Sequence, residues 1–495
     1  MKIILCAINS QYIQANPAIY SLARALESLP RQPRLLLREY SLNLPADTIL
    51  RELYEEKPDV LAFSLYIWNE DCVRRLLADL GQLLPHTTML AGGPQATPRA
   101  AQLLNACPAL HGVILGEGEL VWPRLLGQMM AGESRPALPG LLWRGMDAAL
   151  AVAAPPPDLA LLPFLYSEAD LQALAAARKI LYYESSRGCP YGCSFCASAE
   201  IPPRERPLDM VLRELPLLAQ RGGQIKFVDR TFNAAPQRAA AITRQVLQLY
   251  QPGLSWHFEI SPYALPRELL ELWRQAPPGY IRVEAGIQSL HPPALAAIRR
   301  GGDWPRAKAA LQYVVAGDNV HVHMDLIAGL PEENPQSFAA AFAELHALAP
   351  HYLQLGFLKI LPGSPLAAET AQRGLLYSDY PPYQILQTPT MGAGHLQKLQ
   401  RADKALNSFY NSGYFRQSLL AAAALWPGGA LELYWRLALA MEQRGPGGLS
   451  LITKARLLAD TLLPIDEALF GDLLRLDWLS YQDNQPLPPF LRRAD

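Results

Sequence analysis

Short apolar runs alternate with helical stretches twice along this chain, over residues 2 to about 130 and again over 180 to about 366. In the first series KIILCAI, DVLAFSLYI, TTMLAGG and GVILGEGE are short and apolar enough to be buried strands. PAIYSLARALES and DCVRRLLADLGQLL between them space their apolar residues at the helical period. Parallel neighbours need a long crossover, usually a helix, so this alternation predicts a doubly wound parallel sheet for residues 1–130.

The second series offers six strand candidates: KILYYESS, QIKFVDRTF, LSWHFEISP, YIRVEAGIQS, NVHVHMDLIAGL and YLQLGFLKIL. Six βα units fall short of the eight that close a barrel, so a partial (β/α)6 barrel is expected over 179–368. Residues 131–178, with AAPPPD and LLPF, read as a linker, because proline breaks helix and strand interiors. From 369 to 495 the pattern turns mostly helical and names no chemistry.

The 495 residues exceed one ordinary core, so two or three domains are expected. A net charge of -1 without a basic run disfavours nucleic acid and anionic membranes as partners. It leaves a small molecule or a peptide as the expected substrate. MKIILCAINSQY lacks the long apolar core of a signal peptide. The most apolar later stretch is broken by Pro427, two glycines and charges, so no membrane span is expected. Six cysteines in a chain this long are no secreted disulfide framework, which points to a reducing cytoplasm.

Ligands of open parallel sheets lie beyond the carboxyl ends of the strands. In the first series those ends are Asn9–Gln11, Ser64–Asn69, Gly92–Gly93 and Gly116–Glu119. Ser64, Tyr66, Gly92, Gly93, Gly116, Glu117, Gly118 and Glu119 are the candidate binding residues there. The spacing alone serves tight turns equally well.

In the second series SSRGCPYGCSFCAS follows the first strand directly and places Cys189, Cys193 and Cys196 in one loop. A structural zinc site takes four protein ligands, and no fourth cysteine follows. Three thiolates on a cubane of four irons leave one iron open to a substrate or cofactor. Cys6, Cys72 and Cys107 are scattered and read as small buried apolar residues.

This triad, with Phe195 before its last cysteine, resembles the signature of the radical S-adenosylmethionine (SAM) superfamily. The resemblance implies a 4Fe-4S cluster on the three cysteines and SAM chelated to the open iron. It further implies an external one-electron reductant, such as a flavodoxin or ferredoxin, and reductive cleavage of SAM to a 5'-deoxyadenosyl radical. FVDRTFN (227–233) resembles the segment that steadies the SAM amino group through main-chain contacts, with Asp229 the candidate, although the common Gly-Gly-Glu form is missing. Glu259 in FEISP and Gln288 in EAGIQSL end the next two strands. Gly329 falls in DLIAGLPEE, similar to the motif beside the adenine.

Residues 1–130, with GGP and GEGE, resemble the cobalamin-binding domain that precedes radical SAM cores in one subfamily, and the tail resembles an uncharacterised domain that follows them. Cobalamin is therefore expected, without a histidine ligand. No Asp-x-His-x-x-Gly motif occurs there, and the histidines are His86 and His111 alone. The resemblance favours methyl transfer to an unactivated carbon. The alternatives are a rearrangement or cyclisation without methylation, a methylthio-transferase, and a non-catalytic iron–sulfur carrier or sensor. His321 and His323 share a strand face but lack a third ligand in the sequence, so packing is expected of them. Glu332 and Glu333 are expected in solvent. Tyr377, Tyr380 and Tyr383 fit a substrate mouth or a surface turn.

Overall fold

The computed structural model describes residues 1–445, 447–481 and 486–492. The first sheet holds β1 (Lys2–Asn9), β2 (Arg34–Ser41), β3 (Val60–Ser64), β4 (Thr88–Gly92), β5 (Gly112–Ile114) and β6 (Leu141–Trp143). Their order is β2-β1-β3-β4-β5-β6, parallel except for the last pair. β1 is central and buried along nearly its whole length, which explains its continuous apolar run. The strand order reverses between β1 and β3, and that switch point opens a crevice at their carboxyl ends.

Four elements depart from the sequence reading. β2 and the helix Ala46–Glu56 complete the alternation. RLLLREYS is an edge strand, and its arginines and glutamate dilute the apolar signal. β6 and the helix Glu168–Ala176 lie in the stretch expected to be a linker. Leu141, Leu142 and Trp143 are buried against β5, so the first sheet extends beyond residue 130. Residues 151–158 around the prolines carry neither helix nor strand.

The second sheet begins with β7 (Leu181–Tyr183), followed by a short antiparallel ribbon of β8 (Ser186–Arg187) and β9 (Arg204–Glu205). It continues with β10 (Gly223–Phe227), β11 (Leu254–Ile260), β12 (Ile281–Gln288), β13 (His321–Ala328) and β14 (Tyr352–Phe357). All six main strands are parallel in the order β14-β13-β12-β11-β10-β7, an open partial barrel. IRVEAGIQ in β12 alternates strictly: Ile281, Val283, Ala285 and Ile287 are fully buried. They join the core of the helices Leu208–Ala219, Pro236–Gln248, Trp304–Val315 and Pro335–Ala347. Right-handed crossovers put those helices on one face, leaving Arg282, Glu284, Gly286 and Gln288 half-buried on the other.

The tail opens with the hairpin β15 (Leu376–Tyr377) and β16 (Ile385–Gln387) and continues as five helices between Ala393 and Tyr481. His346 on a barrel helix bonds the Tyr434 hydroxyl of the tail at 2.7 Å. One apolar core runs from one face of the first sheet through the barrel helices into the tail. No helix among the described residues is long and apolar enough to cross a membrane.

Candidate active site at the domain interface

The cysteine loop leaves the carboxyl end of β7 and returns through β9. Gly188 has φ +85, and a Cβ there would collide with the carbonyl oxygen of Pro202, so the two ends of the loop close only over glycine. Cys189 N–H donates to Ile201 O at 3.0 Å, and Cys196 N–H to Cys193 O at 3.0 Å. Ser194 N–H reaches Ile298 O, and its carbonyl takes Leu366 N–H, pinning the loop across the barrel mouth. All three thiols are free.

Donors already face the sulfurs. Arg300 Nη1 lies 3.4 Å from Cys193 Sγ, Ser198 N 3.4 Å from Cys196 Sγ, and Thr231 Oγ1 3.6 Å from Cys189 Sγ. Burial pushes the Cys193 thiol up, against the nearby Arg300 charge. N–H donors to thiolate sulfur are the environment an iron–sulfur cluster needs, and three free thiols on one short loop fit its ligand set.

Across from this loop stands the crevice of the first sheet. A cavity of about 510 Å³ is lined by Asn16, Ser64, Tyr66, Gly92, Gly116 and Glu117 of the first domain and by Tyr182, Glu184, Arg187, Gly188 and Arg230 of the second. Asn16 Nδ2 donates to Ser64 Oγ at 3.4 Å, and the Tyr66 ring stacks on Trp68 with centroids 4.4 Å apart. Burial pushes the Tyr66 hydroxyl up, so the wall it forms is neutral. A flat polar-edged wall, glycine loops and a switch-point crevice suit a large planar ligand such as a corrin. His111 Nδ1 accepts Met89 N–H at 3.0 Å, and His86 is exposed; neither lines the cavity.

The glycines of the crevice differ in what they permit. Gly93 has φ +107, and its Cβ would stand 2.7 Å from Leu65 O, so it serves the close passage of two loops. A Cβ on Gly118 would stand 3.0 Å from Leu22 Cδ2, and one on Gly116, which has φ +74, 3.4 Å from Ala153 Cβ. Gly92 has ordinary room, 3.6 Å to Ile114 Cβ.

Glu117 and Glu119, expected as cofactor contacts, are spent on arginines. Arg187 reaches Glu117 Oε2 at 2.5 Å, Glu119 Oε1 at 2.6 Å and Glu184 Oε2 at 2.7 Å. Arg204 also pairs with Glu117, and Ser21 Oγ donates to Glu119 at 2.9 Å. Burial works against the Glu119 charge, yet Arg187 wins and holds its carboxyl below the usual range. Sequence reading missed Arg187 and Arg204, because their partners lie some seventy and ninety residues away.

The barrel candidates also sort by geometry. Asp229 is buried and accepts from Ser185 N–H at 2.8 Å, Ser185 Oγ at 2.6 Å and Ser186 Oγ at 2.7 Å. Its carboxylate joins the ends of β7 and β10, which leaves its main chain for the contact expected there. Glu259 pairs with Lys226 at 3.2 Å on the inner face. Gln288, at φ +72, keeps a buried Oε1 without a partner, an open acceptor at the barrel mouth. Gly329 faces the tail instead: its Cβ would stand 2.6 Å from Ile385 Cγ2. Glu333 is fully buried, taking hydroxyls from Ser289 and Ser337, against the expectation of solvent; Glu332 is exposed. Tyr383 is buried with Gln95, Glu70 and Arg99, tying the tail to the first domain, while Tyr380 is exposed.

The sequence places these domains among known ones. Residues 6–126 match the B12 binding domain, residues 183–345 the radical SAM superfamily, and residues 371–495 a protein of unknown function, DUF4080. The chain thus carries a radical SAM domain, with a B12 binding domain ahead of it and a domain of unknown role behind it. It is 28% identical over 328 residues to the cobalamin-dependent radical SAM methyltransferase TokK of Streptomyces tokunonensis, covering 63% of this chain and 48% of the relative. It is 25% identical to the uncharacterized methyltransferase PH0819 of Pyrococcus horikoshii over 67% of this chain and 73% of the relative. The chain spans about half the length of the first of these relatives. The fold matches the radical SAM methyltransferase TsrM of Kitasatospora setae at TM-score 0.63 and 18% identity, over 76% of this chain and 79% of that one. It matches the cobalamin-dependent radical enzyme OxsB at TM-score 0.61 and 15% identity, over 98% and 84%.

Proposed function

We propose that the chain is a cobalamin-dependent radical SAM methyltransferase acting on an unactivated carbon of a small molecule or peptide. One observation carries this reading: a single cavity is lined by the switch-point loops of the first domain and by Gly188, Ser198 and Ile201, which flank the three cysteines, of the second. Cys189, Cys193 and Cys196 would hold the cluster, and Ser64, Tyr66, Gly92 and Gly116 would border the corrin. When bound, the cluster and SAM supply radical chemistry, and cobalamin carries the methyl group.

The chain's own residues do the rest. Arg300 and the Ser198 N–H stabilise negative charge on the sulfurs. Gln288 Oε1 is available to a donor on SAM. Arg187 holds the two domains at a fixed separation, so a substrate carbon in the cavity would lie near both cofactors without diffusing between them. The relatives TokK and TsrM, named as methyltransferases, support the reaction class. An external one-electron reductant and a reducing cytoplasm complete the proposal.

The test is anaerobic turnover of the reconstituted protein with methyl-labelled SAM. The expected products are S-adenosylhomocysteine, 5'-deoxyadenosine and labelled product, with replacement of any of the three cysteines by alanine abolishing 5'-deoxyadenosine. Substrate consumption with 5'-deoxyadenosine but no transferred label would replace methylation by rearrangement.

A further inference from the structure

The inner face of the barrel sheet carries charge. Lys226 on β10, His257 and Glu259 on β11, Glu284 on β12, and His323 and Asp325 on β13 stand on it, while Phe227, Phe258, Val283, Val322 and Met324 fill the opposite, helix-covered face. We infer that Glu284, His323 and Asp325 form a binding site for a divalent first-row transition-metal ion on this wall, apart from the cysteine loop.

The three offer ligand atoms that all lie within 4.8 Å of one another. Register explains the grouping: Glu284 pairs with His323 across β12 and β13, and Asp325 follows two residues later on the same face. His323 had lacked a third ligand in the sequence; the neighbouring strand supplies it. His321, at the start of the same strand face, lies against the His351 ring with centroids 5.0 Å apart.

Two polar atoms there have only each other. His323 Nε2 and Asp325 Oδ1 are buried and stand 2.9 Å apart as an ion pair, and neither has a further hydrogen-bond partner. Asp325 is only 8% exposed, so water does not compensate it. Atoms bound to one ion at about 2.1 Å and at right angles stand ~3 Å apart, and His323 Nε2 and Asp325 Oδ1 stand 2.9 Å apart. Lys226 and His257 both reach Oε2 of Glu284, at 3.2 and 3.0 Å, and no hydrogen bond to its Oε1 occurs among the described residues.

Glu259, Glu284 and Asp325 share this wall with Lys226, Arg282 and His323, and, against its burial, Asp325 inclines the His323 ring toward its charged form, so binding of an ion would release that proton. One imidazole and two carboxylates suit Mn(II), Fe(II) or Zn(II). The remaining positions would be open toward the lumen for water or a substrate oxygen. This site does not depend on the methyl-transfer reading.

Manganese alone tests it. The holoprotein, with its cluster in the diamagnetic oxidised form, is titrated with Mn(II) while the six-line EPR signal of free Mn(II) is followed. One equivalent should be bound, and D325N and H323Q should each weaken binding at least about tenfold. H86N should bind as the wild type does, and E284Q replaces either variant that circular dichroism shows to be unfolded. An undiminished free signal with the wild type, or binding that the substitutions leave intact, overturns the site and leaves an ion-pair network only.

Discussion

Arg187 and Glu119 meet at 2.6 Å across the boundary between the B12 binding domain and the cysteine loop. Arg187 stands two residues before Cys189 and is only 15% exposed, and Glu119 is 7% exposed. One guanidinium thereby fixes the spacing of the two regions proposed to hold cofactors.

Removing that guanidinium leaves three carboxylates partly buried without their main partner. R187A should lose about 3 kcal/mol, roughly 6–12 °C in a domain of 150–250 residues. R187K should recover only part of it, since an ammonium does not span Glu117, Glu119 and Glu184 together. Thermal unfolding of the three proteins decides it. A wild-type midpoint for R187A would show that the clasp does not hold the domains.

Gly93 and Gly92 are neighbours with opposite tolerance. G93A forces a side chain onto φ +107 and against Leu65 O, and should cost about 1–3 kcal/mol. G92A meets only ordinary contact and should stay within about 0.5 kcal/mol of the wild type. Denaturant titration of both variants is the measurement. Equal stability would mean that the crevice loops relax freely.

His346 makes stability depend on pH. Burial, helped by the Arg416 charge, pulls its pKa down to about 4, against an ordinary value near 6.5. Above pH 6.5 the ring is neutral folded and unfolded, and nothing is lost. As pH falls toward 4 the unfolded chain takes the proton first, so stability should drop by up to about 3 kcal/mol. H346Q should keep a partner for Tyr434 and flatten the difference between pH 6.5 and 4. A variant whose midpoint falls as steeply as the wild type's over that window would remove His346 as the cause.

The sequence by itself determined the two parallel sheets and the cysteine loop. Strand–helix alternation states which residues are buried, and Cys189, Cys193 and Cys196 lie within eight positions, so local chain geometry brings them together. It also marked the strand ends Ser64–Asn69, Gly92–Gly93 and Gly116–Glu119 that line the cavity. It did not show β2 or β6, whose signals are weakened by edge exposure and by brevity. Only the tertiary structure decided what each polar atom meets. Glu117 and Glu119 turn to Arg187, Asp229 to Ser185, Glu333 to Ser289 and Gly329 to Ile385. His323 likewise gains Glu284 only through the pairing of two strands. Periodicity fixes the face on which a side chain stands, because φ and ψ are local. Partners tens of residues away are chosen by how whole elements pack, which no local pattern encodes.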